Sequence, residues 1–192
     1  MNLRQELKFI LLVLFVLHAT ACQPEGGKKP TAHVVTAEPA IAKGTPVSLT
    51  IMGFNYTDRD INDFYVDGTG GGNLSVSSAS GGGGGSVCCS SYTTGTPAPE
   101  IKVRWQADAC AYDIRHDEDG NEFNTIFSIY KTAAVKVAAI SLNPKYLEIH
   151  IFPDGHVEAA ITDEVSSPRL VLDQNRRLIS PFRKCPNGKK PS

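Results

Sequence analysis

The chain reads as a mainly β protein: an antiparallel β-sandwich or partly open barrel, with a long glycine-rich loop and room for one short helix. Three observations point there. Apolar residues recur mostly with a period of two rather than 3.6. The runs are short and separated by Gly, Pro, Asn and Asp, the punctuation of sheet-forming turns. No strand–helix–strand alternation appears, which argues against a doubly wound nucleotide-binding fold.

Taken in order, Val47-Ser48-Leu49-Thr50-Ile51 alternates and continues through Phe54 to Tyr56. The polar turn Thr57-Asp58-Arg59-Asp60 separates it from Ile61-Asn62-Asp63-Phe64-Tyr65-Val66, and the two predict a β-hairpin. Next, Gly68-Thr69-Gly70-Gly71-Gly72 and the consecutive glycines Gly81 to Gly85 bracket a serine-rich segment. Glycine loses the most backbone freedom on ordering, so 68–86 is expected to be a mobile surface loop. The functional alternative is a backbone-lined surface that a partner approaches closely. It is no Walker loop, because no Gly-Lys-Ser/Thr follows. Ile101-Lys102-Val103-Arg104-Trp105 alternates cleanly and should turn Ile101, Val103 and Trp105 to the core. Residues 125–137 read both ways: Ile126, Ile129 and Ala133 suit a helix, while Val135-Lys136-Val137 suits a strand. Leu147 to Phe152 and Val157 to Ile161 flank Pro153-Asp154-Gly155-His156, the clearest hairpin, since Asp-Gly supplies the positive φ of a tight turn.

The N-terminus speaks to location. Arg4 and Lys8 precede the apolar run Phe9 to Leu17, and Ala19-Thr20-Ala21 lead into Cys22. This is the build of an export signal. Nine apolar residues are too few to cross a bilayer core, which needs about 20. A cysteine after small residues resembles the acceptor of a bacterial lipoprotein signal, although Ala19 stands where such signals usually have Leu. The resemblance implies that residues 1–21 are removed and that Cys22 carries thiol- and amine-linked acyl chains such as palmitate. The plainer alternative is secretion with cleavage after Ala19 or Ala21. Residues 22–46, rich in Pro, Gly, Lys and Thr and including His33, read as a flexible tether, leaving 47–192 as one β-rich domain. Gln23, which is not the Asp that retains such proteins at the inner membrane, implies the outer membrane, facing the periplasm.

The 192-residue chain carries 19 Lys+Arg against 20 Asp+Glu; without Arg4, Lys8 and Glu6 the balance is 17 to 19. That near-neutrality offers no general attraction to nucleic acid. The basic cluster Arg176-Arg177, Arg183-Lys184 and Lys189-Lys190 reads as a solvated tail, with attraction to anionic headgroups as the alternative. With Cys22 assigned to lipid, Cys88, Cys89, Cys110 and Cys185 remain, an even number that predicts two disulfides in an exported chain. A bond between neighbours is geometrically demanding. Since adjacent strand side chains point to opposite faces, one of Cys88 and Cys89 is expected to join Cys110 and the other Cys185.

Catalytic signatures are lacking: there is no G-x-S-x-G elbow and no HExxH. His116 is isolated. His150 and His156 are expected to face each other across the Asp-Gly hairpin as a surface pair, too few ligands for a metal. Asp117 to Glu122 fails as a calcium loop, because alignment places Arg115 at the first ligand position. No cofactor signature appears, and a binding protein is favoured over an enzyme.

Several segments in order resemble a family of small bacterial lipoproteins still classed as a domain of unknown function. They are Asn55-Tyr56-Thr57-Asp58-Arg59, Phe64-Tyr65-Val66-Asp67-Gly68, Gly70-Gly71-Gly72, Gly85-Ser86-Val87-Cys88-Cys89, Val103-Arg104-Trp105 and Ile151-Phe152-Pro153-Asp154-Gly155. They span roughly 50–161; the five-glycine run and residues 107–146 depart from the pattern. Members of that family often sit beside type VI secretion phospholipase effectors. The resemblance therefore implies an immunity lipoprotein that covers the mouth of such an enzyme. Tyr56, Asp58, Arg59, Asp67, Gly70, Asp154 and His156 are the partner-binding candidates, with a turn-stabilising network as the alternative for Tyr56, Arg59 and Asp67. A general envelope lipoprotein without a toxin partner, or a small hydrolase with an unrecognised site, are the rival readings.

Overall fold

A computed structural model describes residues 39–170 and 182–192. The signal segment, Cys22, His33, the first part of the tether and Arg176-Arg177 lie outside the described residues.

Eight strands form one sheet: β1 Pro46–Asn55, β2 Ile61–Val66, β3 Thr69–Leu74, β4 Ser86–Thr93, β5 Glu100–His116, β6 Glu122–Ile140, β7 Tyr146–Ile151 and β8 Val157–Thr162. Their spatial order is β3-β2-β5-β6-β8-β7-β1-β4. The sheet curls until its edges approach, with Gly72 of β3 lying against Val87 of β4, so it is nearly a closed barrel. A mainly β, barrel-like fold is what the alternation predicted. Among the described residues the sole helical element is a 3-10 turn, Pro186–Gly188, and 125–137 is strand throughout.

The topology departs from a purely antiparallel sheet. β1 pairs in parallel with β7, and β6 with β8. The expected β1–β2 hairpin does not form. Instead the Asn55 side chain closes a compact loop, donating to the Arg59 carbonyl at 2.7 Å and accepting the Thr57 N–H at 3.0 Å. The chain leaves that loop to pair with β3 and β5. The hairpin of β7 and β8 forms as predicted: Ile151 pairs with Val157, and Gly155 takes φ 86°.

Inward positions alternate as expected. Leu49, Ile51, Phe64, Ile101, Val103, Trp105, Leu147, Ile149, Ile151 and Ile161 form the barrel interior. β1 and β7, however, are buried on both faces. Their outward Phe54, Tyr56 and Phe152 form a second cluster with Met52, Val76 and Leu170. Strands covered on both faces read as near-continuous apolar runs.

The glycine-rich stretch is not simply a loop. Its first half is β3, and its second half packs tightly. A Cβ on Gly71 would sit 2.1 Å from the Phe64 ring, and one on Gly83 2.0 Å from the Ser75 carbonyl oxygen. The Ser75 N–H donates to Gly83 O at 2.7 Å. Gly71 and Gly83 thus permit close approach of the chain to itself. The end of the tether also belongs to the fold: Ile41 N–H donates to Asn143 Oδ1 at 3.0 Å and Gly44 N–H to the Thr94 carbonyl at 2.8 Å.

All four expected cysteines are in disulfides, but the pairing differs from the expectation: Cys88 joins Cys89, and Cys110 joins Cys185. The reason lies in topology. β4 carries a bulge opposite Leu49 and Thr50, so regular alternation fails where the two cysteines sit. β4 also lies at the far edge of the sheet from β5. Cys110 instead meets the C-terminal segment, which runs beside β5 with Ala111 N–H donating to Arg183 O at 2.8 Å and Cys185 N–H to Ala111 O at 2.8 Å.

Candidate functional site at the barrel mouth

One end of the barrel opens into a cleft of about 130 Å3. Its floor is the last layer of the core, Ile61 and Trp105. Its walls are the 57–60 loop, the β5 bulge at 106–108, and Phe152, Pro153 and Gly155 of the β7–β8 turn, with Phe182 at the side. The bulge matters because it breaks the β5–β6 register between Gln106 and Asp108 and lets that segment turn around the rim. Lys131 of β6 pairs with Trp105 and therefore shares its inward face. Its ammonium lies against the β7–β8 turn, where a Cβ on Gly155 would come within 3.3 Å of Nζ.

Charges of both signs line this mouth. The Arg59 guanidinium sits over the Phe182 ring, 5.1 Å from its centre. Asp60 accepts the Val76 N–H at 3.0 Å. Asp108 accepts from the Arg183 guanidinium at 3.0 Å and from the Ala109 N–H at 2.7 Å. Burial alone would raise the Asp108 carboxyl, but these donors outweigh it and hold it below the usual carboxylate range. Gln106 is buried; its Oε1 accepts the Asn62 N–H at 3.1 Å, and its Nε2 has no partner among the described residues.

Of the expected partner-binding residues, Asp58 and Arg59 line the cleft, with Asp154 and His156 in the adjoining turn. Asp154 accepts the His156 N–H at 3.1 Å and contacts its ring nitrogen at 2.6 Å, while that ring stacks on Phe152 at 4.0 Å. The His156 N–H and ring hold the Asp154 carboxyl below its ordinary value. Asp67 and Gly70 lie elsewhere, on the order of 20 Å along β2 from Ile61 at strand rise. There Asp67, at φ 48°, accepts the Lys102 N–H at 2.7 Å and closes the β2–β3 turn. Gly70 pairs with Tyr65 in the sheet.

Tyr56 belongs to neither place. It is fully buried on the outer face of β1 and β7, in a network with Glu148 and His150, also fully buried. Tyr56 O accepts the Arg169 N–H at 2.8 Å and lies 3.0 Å from His150 Nδ1. Its one hydroxyl hydrogen then goes to Nδ1, so the Nε2 hydrogen faces Glu148, 3.5 Å away. Glu148 Oε1 accepts the Ser166 N–H at 2.6 Å. Desolvation raises the Tyr56 hydroxyl and lowers the His150 imidazole. Burial would raise Glu148, but the His150 ring beside it and the Ser166 N–H leave it lowered. The expected surface pair of His150 and His156 is thereby corrected: His150 pairs with Glu158 in register and stacks on Phe54 at 4.3 Å, and His156 is half exposed. The missed signal was Glu-x-His-x-Phe on the polar face of β7 opposite Met-x-Phe-x-Tyr of β1.

No curated protein and no solved structure matches the chain. A family model described as protein of unknown function DUF3304 matches residues 54–159, running from the β1 end of this mouth to β8. The match takes in the 55–59 loop and the 151–155 turn, and covers more than half of the chain. The chain belongs to the DUF3304 family.

Proposed function

We propose that this chain is a membrane-anchored lipoprotein facing the periplasm that binds and neutralises a type VI secretion phospholipase effector, as its immunity protein. The observation that carries the reading is convergence. Two segments that carry the family resemblance are far apart in sequence, yet Thr57, Asp58 and Arg59 of one and Phe152, Pro153 and Gly155 of the other wall one mouth. At about 130 Å3 that mouth is small beside the 300–1,000 Å3 typical of small-molecule pockets. A rim of this size suits a protein surface better than an acyl chain. The toxin would attack periplasm-facing phospholipid, and an inhibitor held at that face by acyl chains on Cys22 acts where the damage occurs. Tethering raises its local concentration without any new contact. Inhibition is steric: a stiff, disulfide-bearing barrel presses the 57–60 loop and the 153–156 turn over the lipase entrance.

The test is co-expression of the full chain with a candidate type VI phospholipase effector directed to the periplasm. Protection from lysis, recovery of a complex, and loss of both in Arg59→Glu support the proposal. Lysis regardless of the chain, with no complex recovered, defeats it.

A further inference from the structure

We infer that the barrel mouth is a socket for a glutamate-like side chain of the protein partner; this rests on the immunity reading for the partner being a protein. Hydrogen-bond capacity at the mouth is only partly used. Asp60 and Asp108 are engaged by Val76, Ala109 and Arg183, and the Arg59 guanidinium lies over Phe182. Asp58 stands exposed at the rim.

Two donors remain. Lys131, exposed at the mouth on the face of Trp105, makes no ion pair with any described residue. Gln106 is 4% exposed, and the Asn62 N–H bond to its Oε1 fixes which end is the amide nitrogen. That nitrogen has no acceptor among the described residues. A buried donor left unmatched is costly, and an incoming acceptor removes that cost. Two donors, one of them cationic, select an anionic acceptor. The floor of Ile61 and Trp105 is apolar and would cover the methylene stem behind a carboxylate. A cleft of about 130 Å3 admits such a side chain but not a phospholipid. Phosphate satisfies the donors but leaves the floor uncovered, so a carboxylate on a short stem fits better.

Trp105 is the chain's one tryptophan and forms the floor, so its fluorescence reports on the socket alone. The full chain in detergent is titrated with N-acetyl-glutamate methylamide, its glutamine counterpart and inorganic phosphate. The expected result is a saturable change with the glutamate probe, at least about tenfold weaker binding of the glutamine probe, and a similar loss in Lys131→Gln. Gln106→Leu, its fold checked by thermal unfolding, should weaken the glutamate probe as well. No saturable change, phosphate binding as tightly as the glutamate probe, or an unaltered Lys131→Gln overturns the socket. Capture of the phospholipase separates the two proposals. Equal capture by wild type and Lys131→Glu overturns the socket and leaves immunity standing. No capture by wild type defeats immunity, and the titration still decides the socket.

Discussion

The two faces of β1 and β7 are both buried, yet they are built differently. The inward face is dry: Leu147, Ile149 and Ile151 meet Leu49 and Ile51 with no polar side chain between them. The outward face sets Glu148, His150 and Tyr56 beneath the segment that follows β8, with Ser166 and Arg169 supplying backbone donors. The inward face is held by area removed from water and tolerates any pH. The outward face rests on hydrogen bonds among buried titratable groups, so it is sensitive to protons and intolerant of single deletions. One pair of strands thus carries a pH-indifferent core and a pH-responsive seat for the C-terminal region.

The largest effect expected is on the inward face. Phe64 is 1% exposed, and its ring also fills the space that Gly71 leaves open. Phe64→Ala should cost about 3–5 kcal/mol, read from the shift in denaturant midpoint at constant slope. A loss below about 1 kcal/mol would mean the barrel interior collapses around the void. On the outward face, Glu148→Ala strips the acceptor from the Ser166 N–H and the carboxylate beside the His150 ring and should cost about 2–3 kcal/mol. Phe64→Ala leaves the pH profile of stability unchanged, whereas Glu148→Ala alters it.

That profile has a definite sign. The folded His150 titrates below its ordinary value of 6.5, so between the two values the unfolded chain binds the extra proton. Its contribution is present above about 6.5 and lost as pH falls through the folded value. Glu148, lowered from 4.5, adds a further loss in stronger acid. Tyr56, raised above 10.0, contributes below that value and loses its contribution as pH rises beyond it. Thermal unfolding measured from pH 7 to pH 5 should therefore fall steadily in the wild type and flatten in His150→Gln. Parallel slopes in the two proteins would remove His150 as the cause.

Smaller effects separate the glycines. Gly81→Ala meets only the Ser78 hydroxyl at 3.6 Å and should change stability by less than about 0.5 kcal/mol. Gly83→Ala, at φ 102° and 2.0 Å from a carbonyl oxygen, should cost about 2 kcal/mol or more. Equal tolerance in calorimetry would restore the picture of a loose loop.

What could be read in advance follows the same division. Alternation located Ile101, Val103 and Trp105 correctly because period two is a local consequence of the strand itself. The β7–β8 turn was legible because Asp-Gly is a local signal. The β1–β2 hairpin was not, since Asn55 closes its loop through side-chain bonds that only the folded chain brings into register. Glycine composition suggested slackness, but whether glycine is loose or tightly approached depends on Phe54, Phe64 and Ser75. At the mouth, Thr57 to Arg59 and Phe152 to Gly155 fall in segments picked out by resemblance. Lys131 and Gln106 were not picked out, because their place at the mouth depends on the β5–β6 register and on a bulge in β5. Tyr56 was misplaced because a Tyr before a polar turn looks exposed until the second layer covers it.

Direct inhibition tests most plainly the proposal that this mouth covers a phospholipase. A candidate phospholipase effector is assayed on phospholipid vesicles while the purified full chain is added. Activity should fall to background at one equivalent of the chain and return with Arg59→Glu. Undiminished hydrolysis in a several-fold excess of wild type would contradict it.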